Sequence, residues 1–387
     1  MRRLTTRRVL VATLLAGLTA GCGSQAATGT ASSLQVQTAP LSTSLVTRQG
    51  TWAVAVMGGS AASENNFWQL FVRPAGASRW SEVTPEGVAD NGGLVAASGV
   101  GGTSLLVGFR PSQGLTYSPL AASADEGKTW TAGLLDADLA DVQNAMAVAT
   151  SGRTLALLHD GSIEVASSAA AAAAGQWSQL TTLSGLAATA PGRGCGLVAV
   201  NAVSFGINNV PMAAGSCVRR GVAGIFADTG GGWQAAGPSL PAGFSRDQVQ
   251  VLGLAGNADT PGGNVALLRA GGDLLAAWSA GGRWTVSAPV ALPVTGGGVT
   301  ASGFGPAGSV WVLSAGGHVQ TIGGPGGSWQ ALPPVPAHTA TLAPGPTAGS
   351  FDALAVSGSR LTVWRLDAGA WAKVQVINVP IEYGSSS

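Results

Sequence analysis

These 387 residues predict an all-β fold, a single seven-bladed β-propeller of four-stranded antiparallel blades, and three observations carry that expectation. First, a Gly-rich turn followed by Trp recurs seven times, ending at Trp80, Trp130, Trp177, Trp233, Trp284, Trp329 and Trp371, at intervals of 42 to 56 residues. Repeats of about 40–50 residues holding four strands each mark propeller blades. Second, apolar runs of about five to eight residues lie between these corners, the pattern of strands buried on both faces. Third, glycine supplies 59 of the residues while charged residues are 10%, against about 25% in ordinary soluble chains. That composition suits many short buried strands joined by tight turns. A count of six or eight blades stays open at the first and last repeats.

The chain is read in order as a signal peptide (1–21), a leader (22–40), the propeller (41–380) and a tail (381–387). MRRLTTRR supplies four arginines and VLVATLLAGL an apolar run of ten. A helix needs about 20 apolar residues to cross a ~30 Å hydrocarbon core, so this run is an export signal rather than a span. The ending LTAGC resembles a bacterial lipoprotein signal, which implies cleavage before Cys22 and acylation (palmitate) of its thiol. Thr19 departs from the Leu such signals favour, and an ordinary secretory peptide is the alternative. TRRVLV (6–11) also resembles a twin-arginine signal with Leu10 in place of Phe, so the export route stays open. One acyl chain holds a protein to a membrane only marginally and two or more hold it stably. The expected location is the extracytoplasmic face of a bacterial cell membrane. GSQAATGTASSLQVQTA (23–39) suits a flexible spacer.

Within the propeller, the second repeat predicts strands near 93–99, 104–109, 116–123 and 130–135. The fifth predicts them near 249–256, 264–270, 273–279 and 284–290, and the sixth near 298–305, 309–314, 318–323 and 328–333. The seventh predicts 339–344, 351–357, 360–366 and 371–378. Gly-Gly and Gly-Ser pairs between them supply the positive φ of short hairpins. Two closures stay open: a first blade complete in sequence, or residues 34–38 (LQVQT) pairing with the last blade.

The repeated corner joins third and fourth strands, and its Trp is expected to wedge between blades, where a large ring buries ~150–250 Å². Its fullest copy is SADEGKTW, in which Asp125 can accept from its own turn and Gly127 can adopt a left-handed angle. Ser123, Asp125, Gly127, Thr129 and Trp130 fit the Asp-box (BNR-type) repeat of sialidase-like propellers, which the chain resembles over about residues 41–378. Asp228 and Asp367 are partial echoes. The resemblance implies a structural motif on the edge away from the ligand face. Sialidases of this kind use three arginines, a Tyr nucleophile paired with a Glu, and an Asp acid. Here Arg73 (FVRP) and Arg110 (GFRP) touch Pro directly, and the only tyrosines are Tyr117, in a predicted strand, and Tyr383, in the tail. The catalytic set is not recovered, and no catalytic residue is assigned.

Cys195 and Cys217 lie nearly symmetrically about a turn at Phe205-Gly206-Ile207. In an oxidising compartment, antiparallel pairing predicts a disulfide stapling one hairpin. Buried free thiols are the alternative. Charge gathers on predicted loops of one face: Glu64, Glu86, Asp90, Asp136, Asp138, Asp141 and His159-Asp160, opposite Arg219-Arg220. The functional reading is a cation or polar-ligand site at the channel mouth. The plainer one is that loops are where a weakly charged protein puts its charges. His318 and His338 share no metal-ligand spacing with His159, so no metal is expected. Glycine runs lack a following GK[ST], so no phosphate loop or cofactor is expected. Phe67 and Trp68 either grip a partner or sugar ring or plug the space between blades. A net charge of +1 without basic clusters argues against nucleic acid. The reading is therefore a monomeric, non-enzymatic, membrane-anchored platform for protein or polysaccharide. A sialidase-like glycan hydrolase or lyase is the alternative, and a stability factor for a membrane complex a third reading.

Overall fold

A computed structural model describes residues 43–58, 66–85, 93–97, 103–109, 116–140, 142–257, 263–291, 298–347 and 349–379. The signal, Cys22, the leader, Glu64, Glu86, Asp90, Arg110, Asp141 and the tail lie outside them.

Seven antiparallel sheets follow one another along the chain. Blade I holds β1 (Thr43–Thr47), β2 (Gly50–Gly58), β3 (Asn66–Pro74) and β4 (Ser81–Glu82). Blade II holds β5 (Gly93–Ala97), β6 (Leu105–Phe109), β7 (Ser118–Ser123) and β8 (Thr131–Leu135). Blade III holds β9 (Met146–Val148), β10 (Leu155–His159), β11 (Ser162–Ala166) and β12 (Ser178–Thr182). Blade IV holds β13 (Leu197–Phe205), β14 (Pro211–Cys217), β15 (Gly224–Asp228) and β16 (Trp233–Ala235). Blade V holds β17 (Val249–Asn257), β18 (Gly263–Ala270), β19 (Asp273–Ala280) and β20 (Arg283–Val286), with short β21 (Val290–Ala291) added on β19. Blade VI holds β22 (Val299–Phe304), β23 (Val310–Ser314), β24 (Val319–Ile322) and β25 (Gln330–Leu332). Blade VII holds β26 (Thr339–Pro344), β27 (Phe351–Ser357), β28 (Arg360–Asp367) and β29 (Ala370–Asn378). The predicted strands of repeats two, five, six and seven are all present.

First strands meet around the axis, and β1 meets β26 to close the ring. Blade I is complete from its own sequence. Second strands such as LLVGF (β6) and VWVLS (β23) are buried throughout, because neighbouring blades cover both faces. The outer strand β29 sets half-buried Trp371, Gln375 and Ile377 among exposed residues, as a strand with one covered face does, with one break in the alternation at the register shift opposite Val363/Trp364. A register shift recurs in the inner strand of blades IV to VII, at Val200/Ala202, Val251/Gly253, Val299/Ala301 and Thr339/Thr341. One extra residue there adds local bend and twist where strands crowd the axis.

The seam between blades VII and I sets a buried polar network beside an apolar cluster that includes Phe71, Trp80 and Leu354. Asp352 of β27 is fully buried. It accepts from Arg365 Nε and Nη2 at 2.7 and 3.0 Å and from the Trp80 indole at 2.8 Å, and Arg73 Nε stands 3.2 Å away. Arg73 also donates to Thr51 Oγ1 at 2.8 Å and the Pro344 carbonyl at 2.6 Å, with its guanidinium 5.5 Å from the Trp80 ring centre. Burial pushes the Arg73 guanidinium below its ordinary range, against the pull of Asp352. Gln375 holds the Trp80 main chain at both ends, accepting from its N–H at 2.8 Å and donating to its carbonyl at 2.7 Å. Ser44 Oγ reaches the Leu342 carbonyl at 2.6 Å, and the Gly58 amide the Gly358 carbonyl at 2.9 Å.

Three short helices depart from the expected all-strand reading. The alanine run forms α1 (Ala169–Ala173) between β11 and β12, capped by Ser168. Alanine has the strongest helix preference of any residue. The helix packs so closely on β8 that a Cβ at Gly133 would lie 2.4 Å from the Ala173 carbonyl oxygen. Helices α2 (Leu183–Ala187) and α3 (Ala190–Cys195), capped by Thr182 and Thr189, fill the passage from blade III to blade IV. Cys195 therefore ends a helix rather than lying in a strand. The disulfide to Cys217 is present, with Cα atoms 5.3 Å apart, and ties α3 to the end of β14.

Candidate functional site

The inner strands enclose a cavity of about 420 Å³ on the axis. Its exposed rim is Arg48, Thr150, Gly256 and Pro306, all beyond or at the ends of inner strands. The mouth therefore opens on the face of the first-to-second-strand turns. At the other end stand Thr43, Gln143 and Asn144, where inner strands begin. Gln143 Nε2 donates to the Ser302 carbonyl, and Ser302 Oγ donates back to Gln143 Oε1 at 2.5 Å, joining blade III to blade VI. Asn144 accepts from the Leu254 amide at 3.3 Å. Ser44 and Ser204 add hydroxyls, while Phe205 and Phe304 add apolar faces. Among the described residues, the lining holds no carboxylate, imidazole or thiol, and its one charged side chain is Arg48.

The charged residues singled out in the sequence do not line this cavity. Asp136 and Asp138 are exposed between blades II and III. His159 Nε2 stands 3.1 Å from Glu164 Oε1, a cross-hairpin pair in blade III. Arg219 and Arg220 are exposed and reach main-chain carbonyls of Gly194 and Arg246 at 3.4 and 3.1 Å. Among the described residues, no group of three or more His, Cys, Asp or Glu could hold a metal. No helix of the described residues is long and apolar enough to cross a membrane.

The corner at Ser123–Trp130 is built from its own side chains. Ser123 Oγ accepts from the Gly127 amide at 2.8 Å and donates to Asp125 Oδ1 at 2.9 Å. Asp125 accepts from the Thr129 amide at 2.9 Å and the Thr129 hydroxyl at 2.7 Å. The Thr129 amide, then its hydroxyl, hold the Asp125 carboxyl down to about 2. Gly127 has φ +78°, and a Cβ there would lie 2.4 Å from the Trp52 ring. Trp52 in turn meets Trp130 edge-on, with centroids 6.4 Å apart, across blades I and II. Farther round, Trp284, Trp329 and Trp371 donate their indole N–H to main-chain carbonyls of the preceding blade, at Ala236 (2.7 Å), Ala288 (3.0 Å) and Pro333 (3.2 Å). Trp177 and Trp233 rest on the apolar cluster running from blade I to blade IV.

Residues that sequence reasoning missed are Arg73, Asp352, Gln143 and Ser302. In the sequence Arg73 reads as an arginine that misses the substrate-gripping pattern; in the fold it is buried in the ring's closing seam. Trp68 is 1% exposed and Phe67 packs on the seam cluster, so both fill space between blades.

The fold and channel define a seven-bladed β-propeller with an axial cavity of mainly neutral lining. No protein-family model matches the chain, and no curated protein sequence matches it. Among solved structures it is similar to a proposed 6-phosphogluconolactonase of Bacteroides uniformis (TM-score 0.54, 14% identity, 86% of this chain and 97% of that one). It is also similar to the periplasmic gluconolactonase PpgL of Pseudomonas aeruginosa (TM-score 0.53, 15% identity, 85% and 96% of the two chains). A GH74 xyloglucanase of Xanthomonas campestris is a third (TM-score 0.50, 15% identity), with 86% of this chain matched to 52% of that one. At such identities the likeness shows the fold alone.

Proposed function

We propose that this chain is a lipid-anchored, extracytoplasmic Asp-box-type propeller that binds a protein or glycan and does not turn it over. The observation that carries the reading is the chemistry of the channel: its described lining offers amides, hydroxyls and apolar surface without a carboxylate or imidazole. Hydrolysis of a glycosidic bond commonly uses two carboxyls flanking one cleft, about 5–10 Å apart, and the sialidase variant still uses a Glu and an Asp beside its Tyr. Ser and Thr hydroxyls without a neighbouring base are poor nucleophiles. The LTAGC signal and the leader support a tether at Cys22, with the propeller held off the membrane. The charged loops around Asp136, Asp138, Arg219 and Arg220 support a contact surface for a large partner.

The full chain, recovered from solubilised membranes, should capture a partner that is lost when Asp138→Asn and Arg219→Ala are combined. It should show no turnover of xyloglucan or gluconolactone. Turnover abolished by Asp136→Asn or Asp138→Asn would instead establish the hydrolase alternative.

A further inference from the structure

We infer that the axial cavity is a binding site for a small neutral polyol, of the mono- or disaccharide class, entering from the face of the first-to-second-strand turns. The inference goes beyond the platform reading, because it concerns residues apart from the charged loops and holds whether or not those loops dock a partner.

The volume of about 420 Å³ falls in the range of about 300–1,000 Å³ typical of small-molecule sites. Thr43 lines the cavity, is 5% exposed, and its hydroxyl has no hydrogen-bond partner. A buried polar atom left alone costs free energy, and a ligand hydroxyl would satisfy it. Around it, the Gln143 and Asn144 amides keep N–H and carbonyl capacity beyond their bonds to Ser302 and Leu254, and the Ser44 and Ser204 hydroxyls, which donate to the Leu342 carbonyl and Asn264 Oδ1, can still accept, together the complement of a sugar hydroxyl. The phenyl rings of Phe205 and Phe304 offer apolar surface for the C–H face of a sugar ring. Cations are not served, because the described lining holds no carboxylate. Strong anions are not served at the floor, because the one guanidinium, Arg48, stands on the exposed rim. The mouth lies on the same side as the Ser123–Trp130 corner, opposite the charged loops.

The test is titration of the full chain with cellobiose, maltose and gluconate, followed by calorimetry and saturation-transfer NMR. A neutral disaccharide should bind, with gluconate weaker. Thr43→Val, near-isosteric, and Gln143→Leu should each weaken it about tenfold, the effect of one lost hydrogen bond. Lys373→Ala, on the outer strand β29, should leave it unchanged, and thermal unfolding would check that each variant folds. Absence of binding by either neutral sugar, preference for gluconate, or affinity untouched by both channel substitutions would overturn the site. The partner-capture experiment reads out at Asp138 and Arg219, so its failure is distinguishable from this one.

Discussion

The seam between blades VI and VII and the seam between VII and I do the same job by different means. At the first, Trp371 donates to the Pro333 carbonyl, and the cluster beneath is apolar. At the second an apolar cluster is also present, but there Trp80 donates to a buried carboxylate that also takes two arginines. The difference follows from connectivity. Blades VI and VII are consecutive in the chain, so their effective concentration is high and weak contacts suffice. Blades VII and I lie at opposite ends of the propeller sequence, and each is built from its own four strands. Besides the Gly58–Gly358 main-chain bond and the apolar cluster, closure there rests on polar side chains, and charge-assisted hydrogen bonds are roughly twice as strong as neutral ones. The arrangement is costly to break, because removing one partner leaves an uncompensated buried charge.

The sharpest way to break the comparison is Asp352→Asn. It keeps shape and leaves the Arg73 guanidinium unpaired, so denaturant unfolding should show a loss of roughly 3–5 kcal/mol. Removing the disulfide with Cys195→Ala and Cys217→Ala should cost about 2–4 kcal/mol, since it ties α3 to β14 within blade IV. A matched pair of indole substitutions sharpens the contrast. Trp80→Phe should cost about 1–3 kcal/mol beyond its packing change, because a buried charged acceptor loses a donor, and Trp371→Phe about 0.5–1.5 kcal/mol. Equal costs would remove the distinction between the seams.

The smallest effect belongs to the exposed corner. The Asp125 carboxyl is held to about 2, below its unfolded value, so its contribution is present above about pH 4 and lost as pH falls toward 2. The thermal midpoint of Asp125→Asn should therefore lie below that of the parent at pH 6, and the gap should close between about pH 4 and pH 2. A gap independent of pH would show that the carboxylate's charge is not what the turn uses.

Much of this architecture was legible in the sequence. Spaced tryptophans and continuous apolar runs are local signals, and a strand buried on both faces needs a covering layer on each side, which stacked blades supply. VQVLGLAG, FDALAVS and RLTVWRL all lie where those runs placed them. The closing seam was not legible, because Arg73 and Asp352 are separated by 279 residues and each reads as a lone charge in an apolar strand. In a chain with 10% charged residues, such a charge signals a buried partner without naming it. Cys195 was misplaced in a strand because GRGC carries no helical periodicity. Its helix depends on the Thr189 cap and ends at Gly196, with φ +68°. The channel lining was invisible for a similar reason: Gln143 and Ser302 are ordinary polar residues until the ring brings them together.

The most direct test of charge-held closure is a double-mutant cycle on Arg73→Met and Asp352→Leu, read by equilibrium unfolding. Each single change should destabilise strongly, and the double change should recover at least about 1 kcal/mol relative to their sum, as two groups in one buried network do. Strict additivity would mean that Arg73 and Asp352 are not coupled, and that the charge pair between them does not hold the ring closed.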